Sequence, residues 1–351
     1  MNQLSVIERA ALAAVVAFTV LAALGRYASW PAVPAFALAT LALAGLAWIV
    51  ALATEQVGEH FGPAATGLLQ SSIGNLPELF VVIFALRAGE RVVAESAIVG
   101  SLFANALLVL GIVVIAGSLR RGAGGVMRFH PQLSRDTATL VLCCLFIIVL
   151  VGISLSASDP AAHHVKAISA IAAVLLLSVY LIWVIPHVRR EERPAQSAAK
   201  LALWFSTVLL VVAGAGSAFV SDWFVHALAP AIHQLHISQA FAGLVIVAIA
   251  GNAVENAAGV TLAAKGSSDL AISVVLSSVA QIAAFLFPLL VLISLLLSTQ
   301  LTFALPGLYV AALALTAITV WQVTDDGEAR AFEGWALVAI YAILAVITLY
   351  E

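Results

Sequence analysis

The chain has 351 residues, 63% of them hydrophobic and 9% charged, with a mean hydropathy of +1.13. A soluble domain carries roughly 25% charged residues, so this composition cannot cover the surface of a water-soluble fold. The net charge of −3 and the absence of a long basic run exclude nucleic acid as a partner.

Taken in chain order, the apolar segments predict an all-α integral membrane protein with eleven transmembrane helices. They fall at 7–25, 32–54, 63–87, 92–118, 137–156, 165–186, 199–226, 237–264, 268–297, 301–322 and 331–350. The first stretch, Ala10 to Leu24, has no basic start and runs into another span, so it reads as a retained helix. Cys143 and Cys144 are the only cysteines. They are neighbours on one helix, pointing about 100° apart, and no disulfide is expected. Arginine and lysine set the orientation. With the N-terminus in the cytoplasm, eleven basic residues fall on the inside (Arg9, Arg120, Arg121, Arg128, Arg135, Arg189, Arg190, Arg193, Lys200, Lys265, Arg330). Only Arg26, Arg87, Arg91 and Lys166 fall outside, which predicts N-in and C-out.

Two spans carry a glutamate inside a Gly-Asn-x-x-Glu pattern: Gly74-Asn75-Leu76-Pro77-Glu78 and Gly251-Asn252-Ala253-Val254-Glu255. An ionisable group in a membrane span is costly and marks a pathway for ions, protons or substrate. A shift of 177 residues carries Gly74 onto Gly251, Asn75 onto Asn252 and Glu78 onto Glu255. It also carries Gly89 onto Gly266, Ser96 onto Ser273 and Ser101 onto Ser278. The repeat is spans 2–6 against spans 7–11, with span 1 left over. Five spans per unit is an odd number, so the second copy enters from the opposite side, as an inverted repeat. The expected organisation is an extra N-terminal helix at 1–27, a first five-helix repeat at 28–187, a central loop at 188–198 and a second repeat at 199–351.

The motifs also specify chemistry. Pro77 lacks an N–H and is expected to free a carbonyl near Ile73, and irregular backbone at membrane depth survives only where it lines a cavity or is buried. Asn75 with Glu78, and Asn252 with Glu255, are three apart and are expected to share a helical face. Neighbouring spans add Ser101 and Asn105, and Ser273, Ser277, Ser278 and Gln281. Carboxylate, amide and hydroxyl oxygens suit a hard cation, and calcium takes about 6–8 of them. No thiol or imidazole is expected in the centre, which argues against a soft metal. Two facing carboxylates in a poorly solvated cavity cannot both stay charged and unpaired. They hold a divalent cation or take up protons, and a site that accepts either load is an exchanger.

At these residues the chain resembles the calcium/proton antiporters of the cation/calcium exchanger superfamily. The resemblance is carried by GLLQSSIGNLPELFVVIFALRAGE with ESAIVGSLFANALLVLG, and by the stretch from FAGLVIVAIAGNAVENAAG through VVLSSVAQIAAF. It implies ten core helices in two inverted halves plus one extra helix. Glu78 and Glu255 would alternately bind calcium and protons, within a shell of Asn75, Asn252, Ser101, Asn105, Ser278 and Gln281. It implies no cofactor, since calcium and protons are cargo. Sodium-coupled relatives usually carry hydroxyl residues where this chain has Asn75 and Asn252, which favours protons. Family members often have a histidine after the second glutamate, where this chain has Asn256. Asp222 matches an acidic or polar family position, and its first-half counterpart is Ala47. The central HVRREERPAQSAAK is short and basic, so no acidic regulatory helix is expected.

Weaker signals have two readings each. Glu55 and Glu59 are either a cation-attracting mouth or a solvated helix end. His226, His233 and His236, placed around the loop between spans 7 and 8, are either a transition-metal site or ordinary interfacial histidines. The seven tryptophans lie mostly near span ends, as anchors do. The leading reading is a calcium/proton antiporter of a prokaryotic plasma membrane, in contact with lipid, with a homo-oligomer left open. The alternatives are sodium-coupled exchange, exchange of manganese or magnesium, and, remotely, a membrane-embedded hydrolase.

Overall fold

The computed structural model describes residues 5–61, 73–120, 125–157, 159–190 and 201–351, without the side chains of 59, 61, 132–134, 186–190, 254 and 255. It is helical almost throughout. The helices are α1 (Val6–Tyr27), α2 (Ala32–Phe61), α3 (Leu76–Arg87), α4 (Arg91–Leu119), α5 (Pro131–Ser156) and α6 (Val165–Arg190). There follow α7 (Leu203–Leu235), α8 (Gln239–Gly251), α9 (Ala253–Lys265), α10 (Ser268–Ser294), α11 (Gly307–Thr324) and α12 (Ala331–Leu349). Among the described residues nine helices are each long and apolar enough to cross a membrane, and the α8–α9 pair, bent by 57°, brings the number to ten if it is counted as one broken span. The chain is a multi-pass membrane protein. The predicted span at 63–87 begins outside the described residues, and only its second half, α3, is seen.

Burial ranks the helices. α4 and α10 are the central pair, with 83% and 72% of their apolar windows buried, whereas α1 has 11%. Helix α1 starts on a capping box, Ser5 and Glu8 exchanging backbone and side-chain bonds at 3.1 and 2.6 Å. It packs on the bundle through its buried residues Val15, Ala22 and Gly25, Val15 lying on Gly45 of α2. Among the described residues three helices contain π-helical segments: Ala104–Val109 in α4, Ala242–Val247 in α8 and Ile282–Leu286 in α10. Such segments inside α-helices are rare and frequent at functional sites.

Several boundaries differ from expectation. Helix α7 runs to Leu235 rather than ending near 226, so His226 and His233 are helical and only His236 is at the cap. At about 1.5 Å per residue, its 33 residues are more than the hydrocarbon thickness requires. Among the described residues no group of three metal-ligating side chains forms. Glu55 and Glu59 lie within α2, which continues past 54, and the Glu59 side chain is not described. The span expected at 301–322 starts later, at Gly307. Leu301 and Phe303 before it are fully buried in a non-helical segment, and their amides donate to Ser294 Oγ (2.9 Å) and Ser169 Oγ (3.2 Å).

Contacts between connecting segments sort into two ends of the bundle. At one end β1 (Val126–Arg128) pairs antiparallel with β2 (Glu328–Arg330), with Met127 opposite Ala329. Arg128 pairs with Glu328 at 3.0 Å, Arg135 with Asp325 at 3.3 Å, and the His130 amide donates to Asp269 at 2.7 Å. The Leu201 amide also reaches Gln56 at this ladder end (3.1 Å). At the opposite, carboxyl-terminal end, Gln239 donates to Glu90 at 2.8 Å, Ser238 to the Thr348 carbonyl, and Tyr309 to Glu351 at 3.4 Å.

Candidate functional site

Both Gly-Asn-x-x-Glu motifs sit where a helix begins. Asn75 precedes α3 with φ −92° and ψ 17°, and Asn252 precedes α9 with φ −102° and ψ 11°. The glutamates are therefore the third residues of two new helices. Pro77 is not an interruption inside a span, as expected from sequence. It stands in the first turn of α3, where its missing N–H costs nothing. Asn75 and Asn252 are likewise flanking residues rather than members of the helical face that carries the glutamate.

Helix α3 has 12 residues and α9 has 13, so each spans about 18–20 Å, roughly half a bilayer with its interfaces. Helix α3 ends at the carboxyl-terminal end beside Glu90. Helix α9 ends at the ladder end, where Arg120 lies against Gly266. Two half-helices thus run outward from the middle of the bundle, with their N-termini at mid-depth. A helix N-terminus carries about half a positive charge and offers free N–H groups, which favours anionic side chains there. Glu78 is 2% exposed, and its Cβ is 3.7 Å from where a Cβ on Gly251 would be, so the first motif's glutamate lies against the second motif. The Glu255 side chain lies outside the description.

The second motif is docked onto α4. Asn252 Nδ2 donates to Ser101 Oγ at 3.0 Å and to the Ala248 carbonyl at 2.9 Å. Asn105 Nδ2 donates to Asn252 Oδ1 and to the Ser101 carbonyl, each at 3.1 Å. All three residues are fully buried. Asn75 is buried too, but its Nδ2 has no hydrogen-bond partner among the described residues, so the two motif asparagines differ in their bonding. Ser278 is buried in α10, and Gln281, half-buried, directly precedes the π segment of that helix. Helix α10 packs on the π segment of α4 that holds Asn105.

Two glycines make this docking close. A Cβ on Gly100 would strike the Leu244 backbone, and one on Gly243 would fall on Ser96 Oγ, so α4 and α8 cross nearly backbone to backbone. A further buried carboxylate, Glu95, is held by Arg91 Nε at 2.6 Å near the carboxyl-terminal end. An arginine four residues before a glutamate at the head of an apolar span is its sequence signal, and it lies outside the Gly-Asn-x-x-Glu pattern.

The family description "Sodium/calcium exchanger protein" matches residues 31–186 and 205–350. The Ca(2+)/H(+) antiporter of Synechocystis sp. is 30% identical over 345 residues, covering 92% of each chain. The vacuolar calcium ion transporter of Schizosaccharomyces pombe is 29% identical over 92% of this chain and 80% of its own. A solved structure described as the Ca2+/H+ antiporter protein YfkE has a TM-score of 0.81 at 25% identity, and covers 98% of this chain and 100% of that one. Two half-helices meeting at a buried glutamate, and matches that extend over most of the sequence, lead to one conclusion: the chain belongs to the sodium/calcium exchanger protein family.

Proposed function

We propose that this protein is a secondary-active antiporter that exchanges calcium for protons across a membrane. The observation that carries the reading is the meeting of the α3 and α9 N-termini at mid-depth, with Glu78 buried against Gly251. Glu78 and Glu255 hold either the divalent ion or protons. Asn75, Asn252, Ser101, Asn105, Ser278 and Gln281 supply neutral oxygens around them. A hard cation trades its hydration shell for such oxygens, and protons discharge the carboxylates when it leaves. The names of the two curated relatives, a calcium/proton antiporter and a calcium transporter, support calcium as cargo.

The architecture that suits this cycle is eleven spans, with an extra helix at 1–27 and two inverted five-helix units at 28–187 and 199–351. Gln56 lies at the ladder end and Glu90 at the other, so the chain between them has to cross, which supports a further span through α3. The 177-residue shift carries Ala104–Val109 onto 281–286, where α10 has its own π segment, and the family description matches in two stretches. The basic-residue bias supports placing the ladder end in the cytoplasm of a prokaryotic cell.

Everted vesicles test the proposal. Calcium uptake driven by an imposed proton gradient should disappear in Glu78→Gln and in Glu255→Gln, and acid on the calcium side should compete with uptake in the wild type. Uptake that survives in both variants would sink it. A sodium gradient in place of the proton gradient tests the sodium-coupled reading suggested by the family description, and manganese or magnesium competition tests the cargo.

A further inference from the structure

We infer that Asn256 is a cation-facing residue of the exchange site: a neutral oxygen donor one helical turn beyond the Asn252 cluster. The inference rests on the exchange reading and assigns a residue to it. Asn256 belongs to α9, and its amide donates to the Asn252 carbonyl at 3.0 Å. That bond places Asn256 in the first turn of α9, one turn on from the flanking Asn252, and Gly259, three residues further along, lies on the same helical face as Asn256. A Cβ on Gly259 would lie 3.0 Å from Val275 and 3.4 Å from Val113, so there the face is sealed by apolar contact with α4 and α10. Asn256 is thus the last polar group before the seam closes towards the ladder end.

Its Oδ1 is buried and accepts no hydrogen bond from any described residue. A buried amide oxygen left without a donor is expensive, and among the described residues none supplies one. Asn105 Oδ1, across in the π segment of α4, is in the same condition, although its Nδ2 is fully bonded. Two carboxamide oxygens with unused lone pairs, in the segments that hold the motif, match a hard cation, which asks for oxygens and offers no donor of its own. Asn256 also directly follows Glu255 in sequence. An amide there adds an oxygen without adding a proton-binding group, so it helps calcium without helping the proton.

The test uses the full-length protein, with calcium-dependent thermal stabilisation in detergent and half-saturation of uptake in everted vesicles. Asn256→Leu keeps the volume and removes the oxygen. If Oδ1 were only an unsatisfied core atom, the apolar replacement would be neutral or stabilising and calcium half-saturation would stay at the wild-type value, which would overturn the assignment. The expected result is a half-saturating calcium concentration raised about tenfold, with the ion-free unfolding temperature unchanged or higher. Asn256→Asp is the opposite probe and does not depend on the leucine variant folding. It should tighten calcium binding and shift the acid inhibition of uptake to higher pH, and no change in either would overturn the assignment. If the wild type shows neither calcium-dependent stabilisation nor proton-driven uptake, the exchange reading itself fails. A responsive wild type with an indifferent Asn256 removes only this residue.

Discussion

Replacing Gly100 by alanine puts one methyl group into the α4–α8 crossing. The new Cβ would lie 2.5 Å from the Leu244 carbonyl oxygen and 2.8 Å from its carbonyl carbon. Carbon contacts are comfortable only at about 3.5–4.0 Å, and the opposing atoms are backbone, so no rotamer change relieves the clash. The helices have to part by about 1 Å. The bonds from Asn252 to Ser101 (3.0 Å) and from Asn105 to Asn252 (3.1 Å) then stretch to about 4 Å, beyond hydrogen-bond range. Overpacking costs about 1–3 kcal/mol, and each lost bond about 1 kcal/mol, for a total of about 3–5 kcal/mol. Gly307→Ala is the matched control. Its Cβ would meet nothing within 4 Å, and a gain of about 0.4–1 kcal/mol is expected from the stiffer unfolded chain. The assay is unfolding of the purified protein in detergent, followed by tryptophan fluorescence, beside calcium uptake in vesicles. A Gly100→Ala protein with wild-type stability and uptake would refute the argument that backbone proximity holds the polar cluster together.

Two further predictions concern the ladder end. Met127→Ala should cost about 2–5 kcal/mol in unfolding free energy, because Met127 is fully buried and fills the space at Gly117, whereas Arg128→Ala should cost less than about 1 kcal/mol, because its ion pair with Glu328 is exposed. Cysteines at Val126 and Arg330, which face each other in the ladder, should cross-link under mild oxidant, and uptake should fall and return on reduction if the two corners separate during the cycle. Full uptake by the cross-linked protein would show that they stay together.

Much of the site was legible because membrane residues have few reasons to be polar. Ser101, Asn105 and Asn252 stood out on that ground, and they are hydrogen-bonded to one another. The start of each half-helix was not legible. Proline in an apolar run reads as a defect in a continuous helix, and only the backbone shows that a new helix starts just before it. Hydropathy also misplaced the ends of α7 and α11. It reports transfer out of water and not backbone conformation: residues 227–235 of α7 stay largely apolar, with Leu228 and Ala231 fully buried, so nothing in the pattern marks where the helix stops, and the non-helical residues 301–306 are counted as helix. The ladder itself gives no sequence signal, because it joins two three-residue segments about 200 positions apart.

That ladder makes the two entrances of the bundle unequal. At the carboxyl-terminal end neighbouring elements are joined mainly through side chains such as Gln239, Ser238 and Tyr309, which can trade partners with water as they part. At the ladder end, drawing the α4–α5 corner away from the α11–α12 corner ruptures main-chain bonds and uncovers Met127 and Ala329. Every 1.4 kcal/mol of that difference is a tenfold bias in occupancy. If exchange parts the two ends in turn, the ladder end is the costlier one to open, and the unloaded protein is expected to rest open mostly on the other side.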